Sequence, residues 1–335
     1  MAIYKKSHVM LRRAFLAGIA LCAWCATIAP ASGEVVQRVR KSAASVRVVS
    51  ANIRHIKAED DKAGNGWEQR KELCRDVLLA QDADIICCQE ATEKQLADFI
   101  ELLPGYGQFG IGNRNPIIRS NAILYSTVRF EKMAGDGFWM SPTPQVKGSK
   151  AWGSKAPRFV NWVHLRDRKT GRELIVWNTH FDYLSRPARE NGAGVAMVIM
   201  GKIPADVPQV FTGDFNSPGD SRAIEIVKER GWIDTYAELH GAEDPGLTAH
   251  QFNGARFAAT AQGGGRKKID FVFRKGPLKT LAAEIIRDER AGRYPSDHYF
   301  VSAELEFESP PAGALAQAVS VEKRQPARND AGRHP

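Results

Sequence analysis

Cysteine is scarce in this chain, with five in 335 residues, and two of them, Cys22 and Cys25, fall in the N-terminal segment. The remaining Cys74, Cys87 and Cys88 are odd in number, which argues against a disulfide framework. No other Cys or His recurs at ligand spacing, so a zinc site is not expected. The chain also lacks any apolar run long enough to cross a membrane, any repeat period, and any internal linker before Glu308. Those absences exclude a membrane bundle and a solenoid. A content of 43% hydrophobic and 25% charged residues is ordinary for a globular chain.

The N-terminus has a different character. Lys5, Lys6, Arg12 and Arg13 precede "AFLAGIALCAWCATIAP", and Ala29 to Ala31 form a small-residue cleavage pattern. A secretory signal peptide over 1–31 is expected, and with it a periplasmic or secreted location. "RRAFL" resembles the twin-arginine export signal, from which Leu11 and Ala17 depart. Cys25 follows Trp24 in no lipoprotein-like box, so no stable membrane anchor is expected. Four of the positive charges in the net +9 belong to this leader, leaving about +5, a mild attraction for phosphate polyanions.

From Ser45 the chain alternates short apolar runs with amphipathic ones. Strands are expected at "SVRVVSAN", "DADIICCQE", "NAILYS", "RFVNWVHL", "ELIVWNTH", "PQVFTGDF", "KIDFVF" and "YFVSAELEF". "WEQRKELCRDVLLAQ" and "TEKQLADFIELLP" carry helical periodicity, the second opening at Thr92 and closing at Pro104 and Gly105. Cys87 and Cys88, adjacent in a strand, should point to opposite faces as small core residues. "DRKTGRE" reads as a hairpin turn. Several strands are apolar on both faces, as in sheets covered by helices. After Glu308 periodicity is lost, so one domain over 45–307 and a disordered tail over 308–335 are expected.

The polar residues that finish these strands carry the chemistry. Asn52, Glu90 and His180 end apolar runs, Asp214 and Asn216 follow "PQVF", Asp270 interrupts "KIDFVF", and Asp297 with His298 precedes "YFVSAEL". Any one of them reads as a turn or cap, but in α/β folds such residues gather into sites at strand ends. Phosphoester hydrolysis requires this set of groups. Carboxylate and amide oxygens suit Mg2+ or Mn2+. A His beside a carboxylate serves as base, and a second His and an Asn amide can donate to phosphate oxygens.

The ordered series "SANIR", "CQE", "NTH", "GDFN", "KIDFVF" and "SDHY" resembles the endonuclease/exonuclease/phosphatase superfamily, specifically the uncharacterised secreted bacterial branch. The resemblance implies a four-layer α/β sandwich, two mixed sheets face to face flanked by helices. It implies Glu90 as principal metal ligand with Asn52 and Asp297 near it, and Asp214 to position or deprotonate water. It further implies that Asn216 holds Asp214 and the phosphate, that His298 pairs with Asp270, and that His180 steadies a non-bridging oxygen.

Other residues allow two readings. Asn121 faces the cleft or caps a turn; Asp182 braces His180 or a metal-bound water, or is a surface acid. Lys267 and Lys268 meet phosphate or form a solvated pair, the commoner meaning. His55, His164, His240 and His250 stand alone and read as structural. The stretch 136–158 reads as a rim loop, with Arg158 able to bind a phosphate bidentately and Trp152 or Trp139 to stack on a base or sugar, or to anchor the loop. The leading expectation is a monomeric, secreted, metal-dependent phosphoesterase acting on nucleic acid or a soluble phosphate ester. A sphingomyelinase-like lipid phosphodiesterase or a non-catalytic binding module on the same fold are the alternatives.

Overall fold

The computed structural model describes residues 34–111 and 120–308. The expected leader and the expected tail beyond Glu308 lie outside the described residues. Glu308 itself is tied by its amide to the Pro277 carbonyl at 2.9 Å.

Among the described residues the chain order is β1 (Val46–Asn52), α1 (Ala58–Lys62), α2 (Trp67–Ala80), β2 (Ile85–Gln89), α3 (Glu93–Leu102), β3 (Tyr106–Phe109), β4 (Ile123–Ser126), β5 (Phe130–Trp139) and β6 (Phe159–Asp167). There follow β7 (Glu173–His180), α4 (Arg186–Met200), β8 (Gln209–Asp214), α5 (Arg222–Lys228), β9 (Ile233–Asp234), α6 (Thr235–His240), α7 (Ala255–Ala258), β10 (Asp270–Lys275), β11 (Leu278–Ile286) and β12 (Phe300–Phe307).

Two six-stranded sheets result, ordered β11-β12-β1-β2-β4-β3 and β5-β6-β7-β8-β10-β9. Pairings β1–β2 and β7–β8 are parallel and the others antiparallel. A parallel neighbour needs a crossover, supplied by α1 and α2 in the first sheet and by α4 in the second.

Period-two alternation sorts the side chains into layers. On β1, Val46 and Val48 join Val163, Val176, Val210 and Val272 in one core between the sheets. Val49 and Ala51 turn the other way, against Leu73, Val77 and Phe99 of α2 and α3. Cys87 and Cys88 divide in the same manner, and all three described cysteines are free and buried. A third core packs Phe211, Phe271 and Phe273 of the second sheet, with Phe215 just past β8, against Ala193, Ala196 and Met197 of α4. Three cores between four layers are the expected sandwich.

Start signals at the helices behave as the sequence suggests. Thr92 caps α3 by accepting from the Gln95 amide, while the Gln95 side chain accepts from the Thr92 amide at 3.0 Å, which satisfies two donors otherwise unpaired.

Residues before 45 also pack on the domain. Arg38 makes paired bonds to Asp288 at 2.6 and 2.7 Å, and the Lys41 and Ser42 amides donate to Glu304. The stretch 136–158 is also not loop throughout, since Asp136 to Trp139 complete β5.

Candidate active site

Strand register assembles the site. Parallel pairing sets Asn52 against Gln89 in the first sheet and His180 against Asp214 in the second. Antiparallel β10 then sets Asp270 against Asp214, so His180, Asp214 and Asp270 form a row across three adjacent strands. His298 arrives from the turn before β12, held by an antiparallel bridge to Ala249. A buried amide network pins the sheets together just below this row. Gln89 donates to Asn178 Oδ1 at 2.7 Å, and Asn178 donates to the Cys88 and Ala122 carbonyls at 2.9 and 3.0 Å.

Backbone conformation is unusual at the same level. Arg54, Glu90 and Asn216 have φ of 55°, 61° and 45°, a region that costs a non-glycine residue about 1 kcal/mol or more. The chain turns sharply at each, which aims a polar side chain where a continuing strand would have carried it away.

The contacts are dense. Asn52 Nδ2 donates to Asp214 Oδ2 at 3.0 Å, and the Asn216 amide donates to Asp214 Oδ1 at 2.8 Å. His180 Nε2 lies 3.0 Å from Asn216 Nδ2 and 3.4 Å from Asp214 Oδ2. His298 Nδ1 meets Asp270 Oδ2 at 3.0 Å, leaving its Nε2 directed toward Asp214 Oδ2 at 4.0 Å. Burial, with the Asp270 charge beside it, raises the Asp214 carboxyl above its ordinary range. Burial alone would discourage charge on His298, but the Asp270 carboxylate outweighs it and, with Asp297 and Asp214, favours the imidazolium.

Ligand atoms of Asp214, Asp270 and His298 all lie within 4.8 Å of one another. Asp270 Oδ1 is buried with no hydrogen-bond partner. The orphaned Asp270 oxygen and the raised Asp214 carboxyl mark a buried excess of negative charge, and the oxygens of Glu90, Asp297 and Asn52, the last bonded to Asp214, are the hard donors that a divalent cation takes.

The remaining expected residues are placed as follows. Glu90 accepts from the His55 amide at 3.2 Å and pairs with His55 Nδ1. Asp297 faces Arg54 Nη1 at 3.1 Å. Neither belongs to the Asp214–Asp270–His298 cluster. Asn121 is 2% exposed and donates to the Phe159 carbonyl at 2.9 Å, bracing one sheet on the other. Trp152 sits half-buried on the 140–158 loop, with its carbonyl accepting from Ser185 Oγ. Arg158 lies between the His180 carbonyl and Asp182, at 3.5 Å from each.

Three individual readings change, and one residue is new. Asp182 does not contact His180 or lie on the surface; it is 1% exposed and accepts from Ser154 Oγ and from the Lys155, Leu184 and Ser185 amides. Lys268 is not part of a solvated pair; it is 4% exposed, bonded to Asp234 at 3.0 Å and set over the Phe271 ring, while Lys267 is exposed against Asp220. His55 is not isolated, because it holds Glu90 from a loop whose partner lies 35 residues away. Arg70, unremarked in the sequence, clamps the loop by donating to the Ile53, Arg54 and Pro295 carbonyls at 2.6 to 2.8 Å. A single Arg inside an amphipathic helix gave no hint of that.

Two stacked mixed sheets with acids, amides and imidazoles at the strand ends define a class of α/β sandwich whose members are hydrolytic phosphoesterases. The chain belongs to the Endonuclease/Exonuclease/phosphatase family, whose model matches residues 49–298. It is similar to the mannosyl-6-phosphatase of Bacteroides thetaiotaomicron, at 29% identity and TM-score 0.70, over 78% of this chain and all (100%) of that one. A second endonuclease/exonuclease/phosphatase family protein of the same organism is 28% identical with TM-score 0.70, covering 79% and 99%. Uncharacterized protein L388 of Acanthamoeba polyphaga mimivirus is 26% identical over 160 residues, 45% of this chain and 59% of that protein. The chain spans about half the length of the curated relatives it matches.

Proposed function

We propose that the protein is a divalent-metal-dependent phosphoric ester hydrolase acting on a soluble phosphate ester, exported from the cell as a monomer without a membrane anchor. One observation carries this reading: the row His180–Asp214–Asp270, closed by His298 and braced by Asn52 and Asn216, is a buried set of acid, base and amide groups with an orphaned carboxylate oxygen. The likeness to a sugar phosphatase across its full length supports phosphatase chemistry over nuclease chemistry. The export part rests on the leader-like N-terminus. Among the described residues no helix is long and apolar enough to cross a membrane.

In this reading Glu90 and Asn52, with Asp297 near them, would hold Mg2+ or Mn2+, which when bound neutralises phosphoryl charge. Asp214, oriented by the Asn52 and Asn216 amides, takes the proton of the attacking water. His298, kept cationic by Asp270, donates from Nε2 to the phosphoryl group. His180 and the Asn216 amide line the opposite side.

The test is hydrolysis of a panel of phosphomonoesters and diesters by the mature chain, with magnesium, manganese or chelator. Metal-dependent release is expected, with Glu90→Gln lower by about 100-fold or more. Full turnover in chelator, or by Glu90→Gln, would overturn the metal assignment.

A further inference from the structure

Among the described residues three arginines stand around the row of acids, and two are engaged through every guanidinium nitrogen. Arg70 gives its guanidinium to four backbone carbonyls, at 2.6 to 3.1 Å. Arg54 grips Asp60 through Nε and Nη2 at 2.8 and 3.1 Å and reaches Asp297 through Nη1. Arg158 differs. Its Nε is buried without a hydrogen-bond partner, and its Nη1 comes no closer than 3.5 Å to the His180 carbonyl. An unpaired buried guanidinium N–H is costly, on the order of 1–3 kcal/mol, unless something else satisfies it.

Its surroundings hold it in that state. The Arg158 carbonyl accepts from the Met140 amide at 2.7 Å, which fixes its backbone at the start of β6. Asp182 stands 3.5 Å from Nε, long for a charge-assisted bond, which normally measures about 2.7–2.9 Å. Asp182 cannot swing closer, because Ser154, Lys155, Leu184 and Ser185 already donate to its two oxygens. It therefore supplies counter-charge without consuming the arginine's donors. Its Nη1 lies 3.5 Å from the carbonyl of His180, a member of the row, which places the guanidinium beside the site.

We infer that Arg158 binds the phosphoryl group directly and makes the site select phosphomonoesters over phosphodiesters, an inference that rests on the hydrolase reading above. A monoester carries about −1.5 to −2 charge at pH 7 and offers three terminal oxygens. A diester has one negative charge per phosphate. A planar guanidinium can take two of the monoester's terminal oxygens in a fork, whereas a diester presents only a pair and requires both for the rest of the site. The ligand class is thus a soluble phosphomonoester dianion.

The experiment compares the wild type with Arg158→Ala and Arg158→Lys on p-nitrophenyl phosphate and bis-p-nitrophenyl phosphate. In parallel, inorganic phosphate is titrated into each protein by calorimetry. Arg158→Ala should lose about 100-fold or more in kcat/KM on the monoester and about tenfold or less on the diester, with phosphate affinity falling alongside. Arg158→Lys, a point charge without the fork, should recover only part of the loss. Equal losses on both esters, or phosphate affinity unchanged in Arg158→Ala, would overturn the assignment even if hydrolysis itself is confirmed. A wild type that cleaves neither ester would sink the hydrolase reading, and the phosphate titration would still decide the role of Arg158. Melting temperatures separate these outcomes from misfolding, and Arg158→Lys covers the case in which the alanine variant does not fold.

Discussion

Asp270 is the residue where geometry and charge coincide most closely. One of its oxygens meets His298 Nδ1 and the other is buried with no partner. Asp270→Asn keeps the shape and removes the charge that sustains the His298 imidazolium and repels a proton-free Asp214. Turnover should fall by about 10²–10⁴-fold, and the melting temperature should fall with it, because the buried His298 loses its paired anion. A variant with wild-type kinetics would reduce Asp270 to a core polar residue. At this scale the residues that end apolar runs were readable, because an acid or amide interrupting such a run stands out against its neighbours. Their supporting partners were not. His55 reaches Glu90, Arg54 reaches Asp297 and Asp182 faces Arg158 across loops, and distance along the chain conceals such pairs.

Among the elements, the parallel pair β7–β8 leaves no room for a side chain beside the site. A Cβ on Gly213 would sit 2.4 Å from the Thr179 carbonyl oxygen and 2.8 Å from its Cγ2, one residue before the His180–Asp214 pairing. Gly213→Ala must therefore push the two strands apart, costing about 1–3 kcal/mol and misplacing both site residues. Urea midpoints and turnover should fall together; an unchanged midpoint would show that the strands yield freely. The sequence revealed β1, β2, β4, β6, β7, β8, β10 and β12, which are the interior strands of the two sheets. It did not reveal β3, β5, β9 and β11, which are the four edges. The reason is physical: an edge strand is covered less completely, so its apolar pattern weakens. β5 has only exposed or half-buried residues from Glu131 to Gly137, and β3 has no buried residue.

For the molecule as a whole, pH response has an identifiable acid-side contributor in His250. The ring is fully buried at 0% exposure between Tyr294 and Tyr299, at 4.7 and 4.1 Å, with Nδ1 accepting from the Gly254 amide and Nε2 unpartnered. Burial first, then the neighbouring His298, pushes its pKa from 6.5 down to about 3. The folded state thus refuses a proton that the unfolded chain accepts below pH 6.5. Stability from this group is intact above that pH and declines as pH falls toward 3, by about 1.4 kcal/mol per unit. Replacing His250 by Phe should flatten the slope of unfolding free energy between pH 6.5 and 3 by roughly one proton. Superimposable slopes for the two proteins in urea titrations would assign the acid sensitivity elsewhere.

Both sheets also share one wiring diagram. In each, six strands run antiparallel, antiparallel, parallel, antiparallel, antiparallel from one side to the other. Superposing the diagrams makes β1 the counterpart of β7 and β2 the counterpart of β8, so Asn52 corresponds to His180 and the Gln89–Glu90 corner to Asp214. The protein is in this sense a fused pair of twins that have taken up different trades. One twin contributes the amide and carboxylate suited to a cation, the other the imidazole and carboxylate suited to moving protons. Neither half holds a complete set of groups, and the row of strand ends is where their labour is joined.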